Sequence, residues 1–125
     1  MIIKNGRVID PKNQVDEITD IKIEDGIITA IGNFKPSPNE EVIDASGLIV
    51  APGLIDVHVH FRDPGLTYKE DIHTGSLSAA KGGYTTVICM ANTKPAVDNL
   101  DILSYILKKA EKEKISVLTT AAVSH

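Results

Sequence analysis

Asp56-Val57-His58-Val59-His60-Phe61-Arg62, entered through Ala51-Pro52-Gly53-Leu54-Ile55, is the stretch on which the reading of this chain turns. In a β-strand alternate residues share a face, so Asp56, His58, His60 and Arg62 are expected to point one way and Ile55, Val57, Val59 and Phe61 the other. The aliphatic face suits packing on helices. On the polar face, two imidazoles at i and i+2 stand near enough to bind one metal ion, and a guanidinium one pleat further can hold a carboxylate through paired hydrogen bonds. His58 and His60 are therefore candidate metal ligands and Arg62 a candidate anion group. Paired histidines on a strand can also be half-buried polar residues with ordinary hydrogen-bond partners, and that reading stands beside the metal one. Four polar or ionisable groups on one face weigh toward a site, since burying them without a purpose is costly. Asp63-Pro64-Gly65 then breaks the strand, which leaves the histidines at its carboxyl end, where α/β sheets and barrels place their sites.

Outward from this strand the chain divides in two. Residues 1–51 read as β throughout: Ile2-Ile3 and Val8-Ile9 around an Asn5-Gly6 turn, Ile21-Lys22-Ile23 and Ile27 to Ile31 around Asp25-Gly26, then two short strands separated by Ser46-Gly47. No cluster of catalytic residue types falls there. From residue 52 the period changes to β-α-β-α-β. Thr67-Tyr68-Lys69-Glu70 has the spacing of a capping box and predicts a helix from Thr67 to Lys81, stopped by Gly82-Gly83. Tyr84 to Met90 is β-branched and apolar, as a buried parallel strand should be. A loop with Asn92, Thr93 and Pro95 leads to Asp98 as the expected cap of a second helix, whose apolar stripe is Leu100, Leu103, Leu107 and Ala110. Ile115 to Thr120 starts a third strand. Right-handed crossovers would bring both loops after the first two strands to one edge, and so Asn92 to the rim shared by His58, His60 and Arg62.

Composition narrows the class. With 125 residues, 42% of them hydrophobic, and a net charge of −4 without any basic block, nothing points to nucleic acid. No apolar run approaches membrane-spanning length, and the start is too short and too soon charged for a signal peptide. A cytoplasmic protein is expected. Cys89 is the single cysteine, and among Val87, Ile88 and Met90 it reads as a small buried apolar residue.

The motifs together resemble a known family. Pro52-Gly53-Leu54-Ile55-Asp56-Val57-His58-Val59-His60 is similar to the first metal-binding strand of the amidohydrolase superfamily. Phe61-Arg62-Asp63-Pro64-Gly65, Tyr68-Lys69-Glu70-Asp71-Ile72, Gly82-Gly83-Tyr84-Thr85-Thr86-Val87 and Met90-Ala91-Asn92-Thr93-Lys94-Pro95 resemble the opening third of a class I dihydroorotase. Ala91 stands where the family usually has Pro. The resemblance implies a small β-sandwich domain, represented by residues 1–51, leading into a (β/α)8 barrel begun by residues 52–125. It implies one or two zinc ions per complete site, with His58 and His60 as ligands, and Arg62 and Asn92, beside His60, as binding groups for substrate. Family enzymes interconvert N-carbamoyl-L-aspartate and L-dihydroorotate in pyrimidine synthesis, using zinc to activate water and an aspartate to move the proton. Hydantoinases and allantoinases share the paired histidines but typically lack the following Arg, so Arg62 favours a dihydroorotase.

A closed barrel takes about 250 residues and eight strands, of which three are expected here. The remaining metal ligands and the proton-shuttling aspartate would lie beyond His125, so no catalytic acid or base is assigned within the chain, and His125 itself carries no role. A catalytic zinc normally has three protein ligands, and two are on hand. The chain is thus expected to act within a longer enzyme, as a homo-oligomer or in association with the missing barrel portion, with a carbamoyltransferase partner left open. The competing readings are a non-catalytic dihydroorotase-like subunit and a hydantoinase-type amidase.

Overall fold

The computed structural model describes residues 1–123; the backbone forms two compact units, Met1–Pro52 and the remainder from Gly53. His125 lies outside the described residues.

In the first unit β1 (Ile2–Asp10), β2 (Val15–Glu24), β3 (Ile27–Gly32), β4 (Val42–Asp44) and β5 (Ile49–Val50) make one sheet, ordered β3-β2-β1-β4 with β5 also beside β1. β1, β2 and β3 are antiparallel, whereas β4 and β5 run parallel to β1. Asp25 and Gly26 close the β2-β3 hairpin with φ of 52° and 76°, the left-handed pair that a two-residue hairpin turn requires. Asn5-Gly6 is a correction to the expected turn. β1 runs through it as a single strand, with a bulge between Ile3 and Gly6 and Asn5 at φ 61°. The cause is Asp20, buried next to it, whose carboxylate accepts the Asn5 N–H at 3.0 Å and the Lys4 ammonium at 2.7 Å. Ile2, Val8, Ile21 and Ala45 are buried in this unit. Among the described residues of this unit the strands make one sheet, and Ile27, Ile28 and Ile31 stand 67, 58 and 48% exposed. Where the resemblance implies part of a β-sandwich, this unit forms a single sheet.

The second unit is a parallel sheet ordered β6-β7-β8, from β6 (Leu54–Val59), β7 (Tyr84–Cys89) and β8 (Ser116–Thr119), with α1 (Ile72–Lys81) and α2 (Leu100–Ala110) as crossovers. Phe61, Ile72, Val87, Cys89, Val97, Ile106 and Val117 form its buried core. Gly75 lies against Phe61 so closely that a Cβ there would stand 2.5 Å from the ring, which explains a helix-weakening glycine inside α1.

Helix starts differ from expectation by cap chemistry. α1 begins at Ile72 rather than after Thr67: Asp71 is the cap, accepting the Thr74 N–H at 2.8 Å, and Asp63 accepts the Ile72 N–H at 3.4 Å. Residues 67–69 instead form a turn closed by Lys69 N–H to the Leu66 carbonyl. α2 is capped by Asn99, not Asp98, through the amides of Asp101 and Ile102. It packs on the core through buried Ile106 and the half-buried Ile102, Leu103 and Ala110, while Leu100 is 77% exposed and Leu107 40%. The stop at Gly82-Gly83 is as expected, with Gly83 at φ 84°. Among the described residues no helix is long and apolar enough to cross a membrane.

Candidate functional site

The strand that carries the histidines is irregular. Asp56 pairs with Val87 and Val59 with Cys89, so three steps of β6 span two of β7. A bulge of this kind resets the alternation of faces. The Asp56 carboxylate is engaged locally, accepting the His58 N–H at 2.9 Å. The aliphatic face is covered only at Val59 and Phe61; Ile55 and Val57 are each 63% exposed.

His58 and His60 remain neighbours, with ring centroids 5.2 Å apart and planes at 63°. They line a cleft of about 490 Å³ together with Met90, Asn92, Thr120 and Ala122. Its walls come from the carboxyl end of β6 and from the segments just after β6, β7 and β8. Thr120 enters because its N–H is held by the Cys89 carbonyl at 2.9 Å. Nothing in its local sequence marks it.

His60 Nδ1 lies 2.9 Å from Asn92 Oδ1. With Asn92 Oδ1 as the acceptor, His60 Nδ1 is the donor, the tautomer that leaves the Nε2 lone pair for a ligand. This is how metal-binding imidazoles are usually oriented. Among the described residues no group of three His, Cys, Asp or Glu side chains gathers around one point. The donors present fit part of a zinc site, two imidazoles of a set that normally has three protein ligands.

Arg62 departs from the expected face. β6 ends at Val59, and Arg62 sits at φ 60° with its carbonyl accepting the Leu66 N–H at 2.9 Å. Among the described residues it is not part of the cleft lining. Extended alternation cannot place a residue beyond the end of the strand.

A family profile described as Dihydro-orotase-like matches residues 47–124. The chain belongs to the dihydro-orotase-like family. It is 59% identical over 125 residues to the dihydroorotase of Clostridioides difficile strain 630, and 52% identical over 124 residues to that of Streptococcus pneumoniae serotype 4. Both alignments cover 99% of this chain but only 30 and 29% of those proteins, so the chain spans under a third of their length. The structure is also similar to the L-hydantoinase of Arthrobacter aurescens, with TM-score 0.76 and 32% identity over 96% of this chain and 27% of that one.

In this dihydro-orotase-like chain one residue beside the site escaped the motif reading. Asp63, read as part of a strand-breaking Asp-Pro-Gly, is buried, and its carboxylate accepts from Tyr105 Oη at 2.9 Å and Lys109 Nζ at 2.7 Å. That pairing raises the Lys109 ammonium well above its ordinary value. The available signal was the i, i+4 spacing of Tyr105 and Lys109 on α2. Cys89 is buried as expected, and burial pushes its thiol up to about 11, which keeps it protonated and unreactive.

Proposed function

We propose that this chain is the amino-terminal portion of a zinc-dependent dihydroorotase, acting in pyrimidine synthesis on N-carbamoyl-L-aspartate and L-dihydroorotate. The observation that carries the proposal is the His60–Asn92 pair beside His58, set in a cleft at the carboxyl ends of three parallel strands. The same reading makes the sheet the opening arc of a (β/α)8 barrel, whose sites lie at that end of the strands.

His58 and His60 would hold the metal. Zinc, when bound, supplies a Lewis acid that makes water nucleophilic near neutral pH. Asn92 has two tasks that one amide can combine. Its oxygen fixes the His60 tautomer, and its NH2 group is a donor suited to a carboxylate. On this reading Arg62, which stands on the turn after β6 and outside the cleft lining, is the residue that supplies the paired donors and the charge for that carboxylate, an arrangement worth more than a single neutral hydrogen bond. Holding the substrate by its carboxylate orients the ring amide over the cleft and converts attack into an effectively intramolecular step. The likeness to hydantoinases is accommodated, because the shared element is the histidine pair and the distinguishing one is Arg62.

The test is to express the reading frame that carries this chain at its full length, and to measure zinc content and turnover of L-dihydroorotate and of hydantoin. Zinc-dependent turnover of L-dihydroorotate in preference to hydantoin is expected. Preference for hydantoin, or a zinc-loaded protein that turns over neither, would overturn the assignment.

A further inference from the structure

We propose that Asp63 is a positioning residue for Arg62: its buried carboxylate, gripped by Tyr105 and Lys109, locks the backbone turn from which the Arg62 guanidinium is presented. The inference rests on the reading above, in which Arg62 takes the substrate carboxylate. Arg62 is a non-glycine residue at φ 60°. Such a conformation persists only where the surroundings over-determine it.

Residues 62–66 show what does so. Arg62, Pro64 and Leu66 are half-buried and Gly65 is exposed, leaving Asp63 as the buried member of the turn. Its side chain is 0% exposed. Donors reach its carboxylate from two elements: Tyr105 Oη and Lys109 Nζ from α2, and the Ile72 N–H from the start of α1. The α2 pair is itself ordered, with Lys109 Nζ 5.1 Å from the centre of the Tyr105 ring. An apolar side chain would fill this space without desolvating a charge. What the carboxylate adds is direction, because donors converging from two helices define one position for the residue next to Arg62. The far side of the turn is closed by the second loop: Lys94 N–H donates to the Pro64 carbonyl at 3.1 Å, and a Cβ on Gly65 would collide with the Lys94 carbonyl.

The test compares Asp63→Asn and Tyr105→Phe in the full-length reading frame, each alone and combined with Arg62→Met. In Asp63→Asn the KM for L-dihydroorotate should rise about tenfold with kcat and zinc content within about twofold, and in Tyr105→Phe the same KM should rise about threefold. Both increases should vanish in the Arg62→Met background, since coupled residues are not additive. Hydrogen exchange at the Leu66 amide should quicken about tenfold in Asp63→Asn while the Val87 and Val117 amides are unchanged. A KM increase that persists without Arg62, a fall in kcat and zinc at constant KM, or an unaltered Leu66 amide would overturn the proposal. Should Asp63→Asn fail to fold, Tyr105→Phe carries the same comparison. If the unmutated protein does not turn over L-dihydroorotate, the substrate reading has failed, and the Leu66 amide alone decides whether Asp63 anchors the turn.

Discussion

His60 Nδ1 and Asn92 Oδ1 meet at 2.9 Å across the loops that follow β6 and β7. The contact joins a candidate metal ligand to a candidate substrate group, so neither residue acts alone. Asn92→Ala removes the acceptor that fixes the His60 tautomer. Groups that orient a metal-bound imidazole typically contribute about 10–100-fold in metal affinity. A loss of that size is expected on competition with a chromogenic chelator, against complete loss of metal in His58→Ala or His60→Ala. Asn92→Ala with unchanged zinc affinity would refute the orienting role.

Arg62→Met separates anion binding from metal binding. The side chain keeps much of its apolar length and loses the charge and the donors. The KM for L-dihydroorotate should rise by about 10²-fold, roughly the 3 kcal/mol of a charge-assisted hydrogen bond, with zinc content unchanged. Turnover of an uncharged cyclic imide should fall far less. Equal losses on both substrates would show that Arg62 does not read the carboxylate.

The sequence was most readable where local chemistry decides the outcome. Asp25-Gly26 closes its hairpin because both residues accept positive φ, Gly82-Gly83 ends α1, and the β-branched run at Tyr84 to Cys89 is the central strand of a parallel sheet. Reading failed where a distant partner decides. The bulge in β6 is set by its register on β7, and β1 passes through Asn5-Gly6 because Asp20, fifteen residues on, captures the Asn5 amide. Thr67 lost its helix to Asp71 because Asp63 takes the Ile72 N–H. In the site, the meeting of His60 with Asn92 was legible from strand order, since loops after parallel neighbours open on one edge. The Asp63 anchor was not, because Tyr105 and Lys109 read as ordinary polar positions on an amphipathic helix.

Gly75 tests the packing of α1 against the turn after β6. Alanine favours a helix by about 1 kcal/mol over glycine, yet its Cβ would stand 2.5 Å from the Phe61 ring. Overpacking of this kind costs about 1–3 kcal/mol. Gly75→Ala should therefore lower the denaturation midpoint, and the added change Phe61→Leu should recover part of the loss by withdrawing the ring. A stabilised Gly75→Ala protein would mean that Phe61 can move aside freely.

Lys4 and Asp20 give the first unit a dependence on acid. The Lys4 ammonium at 2.7 Å, helped by the amides of Phe34 and Asn5, lowers the Asp20 carboxyl from 3.8 to about 2. A carboxyl whose folded value is depressed contributes stability that is fully present above its unfolded value and is lost as pH falls toward its folded one. For Asp20 this window runs from about pH 4 down to about pH 2. Lys4→Met removes the strongest donor and so narrows the window. Near neutral pH the variant should be less stable by about 1.5 kcal/mol, the low end for a hydrogen bond to a charged group. The low end applies because Lys4 is 24% exposed. The gap between the two proteins should close as Asp20 is protonated. Urea denaturation of both chains at a series of pH values between about 7 and about 2.5 measures it, with the acid limb attributed to Asp20 by difference. A gap that stays constant through the acid limb would show that Lys4 stabilises the sheet by packing its alkyl stem and not through the Asp20 carboxylate.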